Sequence, residues 1–133
     1  MPDRETILGA IDALYAHRLR GDKDGVAAFF APHATFRISG HGVLTPKLAT
    51  GGGAAMPTIE TLIEDFTFHQ QRRLDAVVEG DKAVVIWEAT LSYRGGERVT
   101  TEICDLWTVG ADGKFTSLLQ FVDTALAVSL TEA

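Results

Sequence analysis

Near the start of the chain, apolar residues recur at three- and four-residue steps, at Ile7, Leu8, Ile11, Leu14, Tyr15 and Leu19. That spacing sets one stripe on a helix running from about Asp3 to Arg20, with Asp3 as N-cap and Gly21 as stop. After "GDKDG", the stretch "VAAFFA" predicts a short second helix packing Val26, Phe29 and Phe30, ended by Pro32, and "ATFRIS" alternates as a first strand. From Gly40 to Ala55 periodicity is lost and glycine accumulates, which predicts a mobile loop able to cover a site. Thr58 is placed to cap a third helix with Ile59, Leu62, Ile63 and Phe66 on one face. From Thr67 the period becomes two. Strands are predicted at about 67–79, 82–94, 97–109 and 114–123, joined by "EGDK", "RGGE" and "GADGK", which carry the Gly and Asp chemistry of tight turns. Helices first and a meander afterwards predict a single α+β domain over residues 1–133, three N-terminal helices packed on a curved antiparallel sheet as a cone-shaped barrel.

The 133 residues suffice for one core. A formal charge of −6, with twelve dispersed Lys and Arg, argues against a nucleic-acid partner, because backbone phosphates are bound by a basic surface. The single cysteine, Cys104, has no internal disulfide partner. The N-terminus lacks a signal-peptide pattern, and no stretch approaches the roughly 20 apolar residues of a membrane helix. A cytoplasmic protein without membrane association is the expectation.

With "GDKDGVAAFFAPHATF" early and "TEICDLWTVGADGKFTSLLQFVD" late, the order of elements resembles the nuclear transport factor 2-like superfamily, in particular its ketosteroid isomerase and SnoaL-like polyketide cyclase branches. The resemblance spans nearly the whole chain. It implies a cone around an apolar pocket and a homodimer through the outer face of the sheet. The expected pocket lining is Tyr15, Phe30, Phe36, His41, Phe66, Phe68, Trp107 and Gln120, with a small hydrophobic molecule as the partner. Members include isomerases, cyclases, epoxide hydrolases, dehydratases and plain binding modules, so fold does not settle function.

Strand alternation sorts the polar candidates. If Asp105 points into the cone, so do Thr101, Ile103, Trp107 and Val109, while Glu102, Cys104 and Leu106 face out. An Asp among apolar neighbours has a raised pKa. By resemblance, Asp105 matches the isomerase aspartic acid that, kept protonated, donates a hydrogen bond to a substrate oxyanion; otherwise it is a buried Asp tied to a neighbour. The isomerase base has no counterpart, since Ile38 or Ser39 stands at its place, so authentic ketosteroid isomerase activity is not expected. Counting back through "RGGE" puts Glu88 inward, and the next hairpin puts Arg72 beside it. The two are either a mutually neutralising pair or a substrate-polarising Arg with a proton-abstracting Glu. For Asp123, simple alternation sends the side chain outward, whereas the SnoaL-like resemblance makes it a pocket acid. Trp87, Leu91 and Tyr93 fall outward in this register and fit a dimer interface. The four histidines lack metal-ligand spacing, and His41 keeps a place because it lies at the pocket mouth. Two functions stay open. One is a cofactor-free acid/base enzyme, an isomerase, cyclase or dehydratase acting on a hydrophobic oxygenated molecule. The other is a non-catalytic ligand-binding or dimerisation module. No cofactor or metal is called for.

Overall fold

The computed structural model describes the backbone of residues 2–45 and 48–132, and the side chains of these apart from residues 41–52. The element order is α1 (Arg4–Leu19), α2 (Lys23–Ala27), β1 (Phe30–Thr45), β2 (Leu48–Ala54), α3 (Ala55–Asp65), β3 (Phe66–Glu79), β4 (Lys82–Tyr93), β5 (Val99–Val109), β6 (Phe115–Phe121) and α4 (Thr124–Glu132). The architecture is α+β: a curved, open six-stranded sheet in the order β2-β1-β6-β5-β4-β3, with helices packed on its concave face. Neighbouring strands are antiparallel except β1 and β6, which run parallel and place the first strand between β2 and β6.

Local chemistry explains the helix ends. Asp3 caps α1 by accepting the Thr6 N–H, and Asp22 caps α2 by accepting the Gly25 N–H. The second helix therefore starts at Lys23, earlier than the apolar run suggests, and Phe30 already belongs to β1. A Cβ on Gly25 would lie 2.2 Å from His17 Nδ1, so a larger residue there would displace the His17 and Asp22 side chains that join α1 to α2. Helix α3 begins at Ala55 without a side-chain cap, so Thr58 lies within its first turns and not at its start.

The glycine-rich stretch is not a loop: β1 continues to Thr45 and β2 returns beside it, with Gly51, Gly52 and Gly53 opposite Ile38, Arg37 and Phe36. An edge strand needs only backbone hydrogen bonds, and glycine carries no alternating pattern to reveal one. The second addition is α4, whose Leu126, Ala127 and Leu130 line the cavity between sheet and helices.

One hairpin decides which residues form the core. The sequence count sets Arg94 opposite Glu97, but β4 and β5 pair Leu91 with Val99, Ile103 with Trp87 and Asp105 with Val85. The turn holds one residue more, with Arg94 at φ 48° and Gly95 at φ 76°. Arg94 is held in that unusual conformation by its N–H to the Asp65 carbonyl (2.8 Å) and its Nε to Asp65 Oδ1 (3.1 Å). One extra residue inverts every side chain of a strand. Trp87, Leu91 and Tyr93 are therefore core residues, Trp87 only 3% exposed, and do not form an outer face. With Trp107 and Phe115, 4.6 Å apart between ring centroids, they line the concave side together with Tyr15 from α1. Truncating a buried Trp such as Trp107 to Ala costs about 3–5 kcal/mol.

Candidate functional site

Between the sheet and the helices lies a mostly apolar cavity of about 110 Å³. Tyr15 and Arg18 enter it from α1, one turn apart and so on the same face. Phe30 and Phe36 come from β1, Phe66 and Phe68 from β3, Trp107 from β5 and Gln120 from β6. Asp105 lies behind this wall. It is 0% exposed and is reached through Tyr15 and Gln120.

Three donors converge on the Asp105 carboxylate. The Tyr15 hydroxyl makes a very short hydrogen bond to Oδ2, Trp87 Nε1 donates to the same oxygen at 3.1 Å, and Gln120 Nε2 donates to Oδ1 at 3.0 Å. Pairing across the sheet positions two of them, since Gln120 faces Asp105 directly on β6 and Trp87 lies on β4 two residues from its opposite number, Val85. Burial pushes the Asp105 pKa up to about 6, against the hydrogen bonds from Tyr15, Gln120 and Trp87, which favour the anion. At neutral pH the group is mainly ionised and accepts hydrogen bonds at both oxygens. The expectation of a protonated donor facing a ligand is thus corrected: the three neighbouring donors already take the carboxylate, and Tyr15 and Gln120 separate it from the cavity. Tyr15 in turn has its hydroxyl pKa raised well above the usual range, by burial first and by the Asp105 charge second.

Arg72 and Glu88 do not reach the cavity. They form an ion pair at 3.3 Å on the outer face, largely in solvent. The hairpin parity turns Glu88 outward. For Arg72 the cause is a bulge at His69: Phe68 pairs with Leu91 but Gln70 with Thr90, so beyond it Gln71 and Arg73 take the inner face.

Asp123 lies just past the end of β6, where strand alternation no longer governs, and both it and Val122 line the cavity mouth. Its Oδ1 accepts the Leu126 N–H at 3.0 Å, capping α4. The side chain of His41 lies outside the described residues.

The residue that sequence reasoning missed is Arg18. It is 8% exposed, its Nη2 donates to the carbonyls of Phe66 (2.7 Å) and Leu62 (3.2 Å), and its guanidinium lies 4.1 Å from the centre of the Phe68 ring. Desolvation lowers its pKa to about 10, so it remains charged. The signal was present in the helical stripe: Ile7, Ile11 and Leu14 are followed at the same spacing by Arg18, a charge on the apolar face. Among the described residues, no cluster of His, Cys, Asp and Glu is arranged to hold a metal, and no helix is long and apolar enough to cross a membrane.

Known structures share this architecture. An NTF2-like protein of unknown function from Burkholderia pseudomallei superposes with a TM-score of 0.75 at 18% identity, over 96% of this chain and 98% of that one. TerC, co-crystallised with polyporic acid, gives 0.76 at 20% identity over 96% and 99%. An LEH-like epoxide hydrolase from M. tuberculosis gives 0.73 at 17% identity over 98% and 93%. At such identities the likeness establishes fold. Comparison with curated protein sequences finds no match. The model of the SnoaL-like domain, however, matches residues 11–118, most of the chain and nearly all of the elements that build the cavity, and the chain belongs to that family.

Proposed function

We propose that the protein binds a small, mainly apolar molecule bearing an oxygen function, seated in the cavity with that oxygen against Tyr15 and Gln120. The observation that carries this reading is the division of labour around Asp105: a buried carboxylate that never meets the cavity fixes two of the polar side chains that do, Tyr15 and Gln120. Holding polar groups rigidly in an apolar wall is how a binding site achieves orientation. With its hydrogen directed at Asp105, the Tyr15 oxygen presents its lone pairs elsewhere, and Gln120 keeps its carbonyl oxygen for a ligand donor. TerC, of the same fold, was co-crystallised with polyporic acid, a precedent for a small-molecule ligand on this scaffold.

Saturable quenching of tryptophan fluorescence by a single-ring phenol, whose hydroxyl can donate to these acceptors, abolished in a Leu126→Phe variant that fills the mouth, is the expected result. Equal quenching in wild type and variant rejects the reading.

A second reading, acid/base catalysis, is favoured by the direct Tyr15–Asp105 contact together with an Asp105 pKa of about 6. In it, Tyr15 passes a proton between the ligand and Asp105, which serves as the base near neutrality. Tyr15→Phe would then stop turnover while leaving binding in place. Loss of binding along with turnover would instead assign Tyr15 to recognition.

For assembly, the reading is a homodimer through the convex face of the sheet. Val77 (60% exposed) and Phe121 (44%) stand there with the half-buried Ile86, Leu106 and Leu119. Arg37 and Arg72 border this area alongside Glu88 and Glu102, so a two-fold mate of the same surface can set opposite charges against each other.

A further inference from the structure

The cavity wall contains two hydrogen-bond donors in search of acceptors. Arg18 uses one nitrogen, Nη2, for both carbonyls at the C-terminal end of α3, and among the described residues no carboxylate pairs with it. Those carbonyls fix the guanidinium in place without cancelling its charge, and the Phe68 face supplies only a quadrupole. An uncompensated cation that is more than nine-tenths buried is costly, and the usual remedy is an anion. The second donor is Trp107, fully buried at 0% exposure, whose indole N–H has no partner among the described residues although the ring lines the cavity. Buried indole N–H groups usually find an acceptor. The carboxylate that would ordinarily serve, Asp105, is saturated by Tyr15, Trp87 and Gln120.

We propose that the natural ligand is an organic anion, a compact apolar ring or chain carrying a carboxylate, with the carboxylate seated on Arg18 and an oxygen acceptor available to Trp107. This rests on the ligand-binding reading above and narrows it to an acid. Size limits the body of the molecule: a dry cavity of about 150 Å³ accepts benzene, so 110 Å³ sets one ring as the upper limit. A guanidinium with a free edge suits a planar carboxylate, and a charge-assisted hydrogen bond is about twice as strong as a neutral one. The neutral isostere of the same acid lacks the charge Arg18 requires and binds more weakly.

The test uses the wild-type protein and three probes of matched size: benzoate, benzamide and benzyl alcohol, titrated at constant ionic strength above neutral pH. Calorimetry should give benzoate an affinity at least about tenfold above that of benzamide, the factor expected for one charge-assisted contact. With two tryptophans in the chain, the indole N–H region of a proton–nitrogen spectrum holds two side-chain signals. Benzoate should move the one assigned to Trp107 by Trp107→Phe, more than the one from Trp87. In Arg18→Gln the benzoate-to-benzamide ratio should fall towards one, and Arg18→Lys should restore part of it. Should Arg18→Gln fail to fold, the wild-type series still decides. Equal affinity for benzoate and the neutral probes overturns the anion inference while leaving the binding pocket intact. Binding of none of the three overturns both readings.

Discussion

Asp105 is the residue on which the interior depends, and its titration is open to measurement. The folded pKa of about 6 exceeds the ordinary 3.8, so the folded state holds this proton more tightly than the unfolded state does. Its contribution to stability is therefore complete below about pH 4 and is lost as pH rises through about 6, by on the order of 3 kcal/mol at most. Asp3 and Asp22, with lowered pKa values, act in the opposite sense, so the comparison to make is wild type against Asp105→Asn. Denaturant unfolding across pH 4 to 7 should show wild-type stability declining relative to the Asn variant over that interval; parallel curves contradict the raised pKa. Asp105→Asn should fold, because its oxygen can take Tyr15 and Trp87 while Gln120 turns its carbonyl to the new amide. Asp105→Leu strands two buried donors, Tyr15 and Trp87, at about 1–3 kcal/mol each, and the half-buried Gln120. In the sequence, the inward direction of Asp105 and the depressed solvation around it were legible from alternation with Ile103 and Trp107. The three donors were not, because two of them arrive from positions 15 and 87, which only the assembled sheet and helix bring within reach.

Turn geometry and chain ends, more than propensity, govern the elements. The meander from Phe66 onward is legible because period-two alternation and Gly-containing turns agree, and α1 is legible from its stripe and its Asp3 cap. What was hidden depends on a single residue in a hairpin: Arg94 and Gly95 both take positive φ, and that one added position exchanges Glu88 for Trp87 at the cavity side. Glycine-rich β2 carries no side-chain pattern at all, and α4 is announced only by Asp123 followed by apolar residues at 126, 127 and 130. The cap on α4 yields a prediction. Asp123→Ala removes the acceptor of the Leu126 N–H and should cost about 0.5–2 kcal/mol, concentrated in α4. Hydrogen exchange should speed up in residues 124–132 while β4 and β5 stay protected. Because Leu126, Ala127 and Leu130 close the cavity mouth, ligand association and release should both accelerate. Unchanged exchange in α4 would mean that the cap is dispensable.

At the scale of the molecule, concave and convex faces have separate duties. The concave side and its helices enclose the cavity, and the convex side carries Leu106, Leu119 and Phe121 bordered by charges of both signs. Light scattering of the wild type should give twice the chain mass, and Leu106→Glu, which places a charge in the centre of that face, should give a monomer that still binds ligand. A wild-type monomer at all accessible concentrations rules out the dimer. The claim on which the rest depends is that the cavity, and not the outer face, is where a ligand goes. Titrating nitrogen-15-labelled wild-type protein with a single-ring phenol addresses it directly. Saturable shifts are predicted at Tyr15, Ile103, Trp107, Gln120 and Ala127, with Glu88, Glu102 and Leu106 unmoved. Shifts confined to the outer face, or none at the cavity residues at saturating phenol, would contradict the cavity as the functional site.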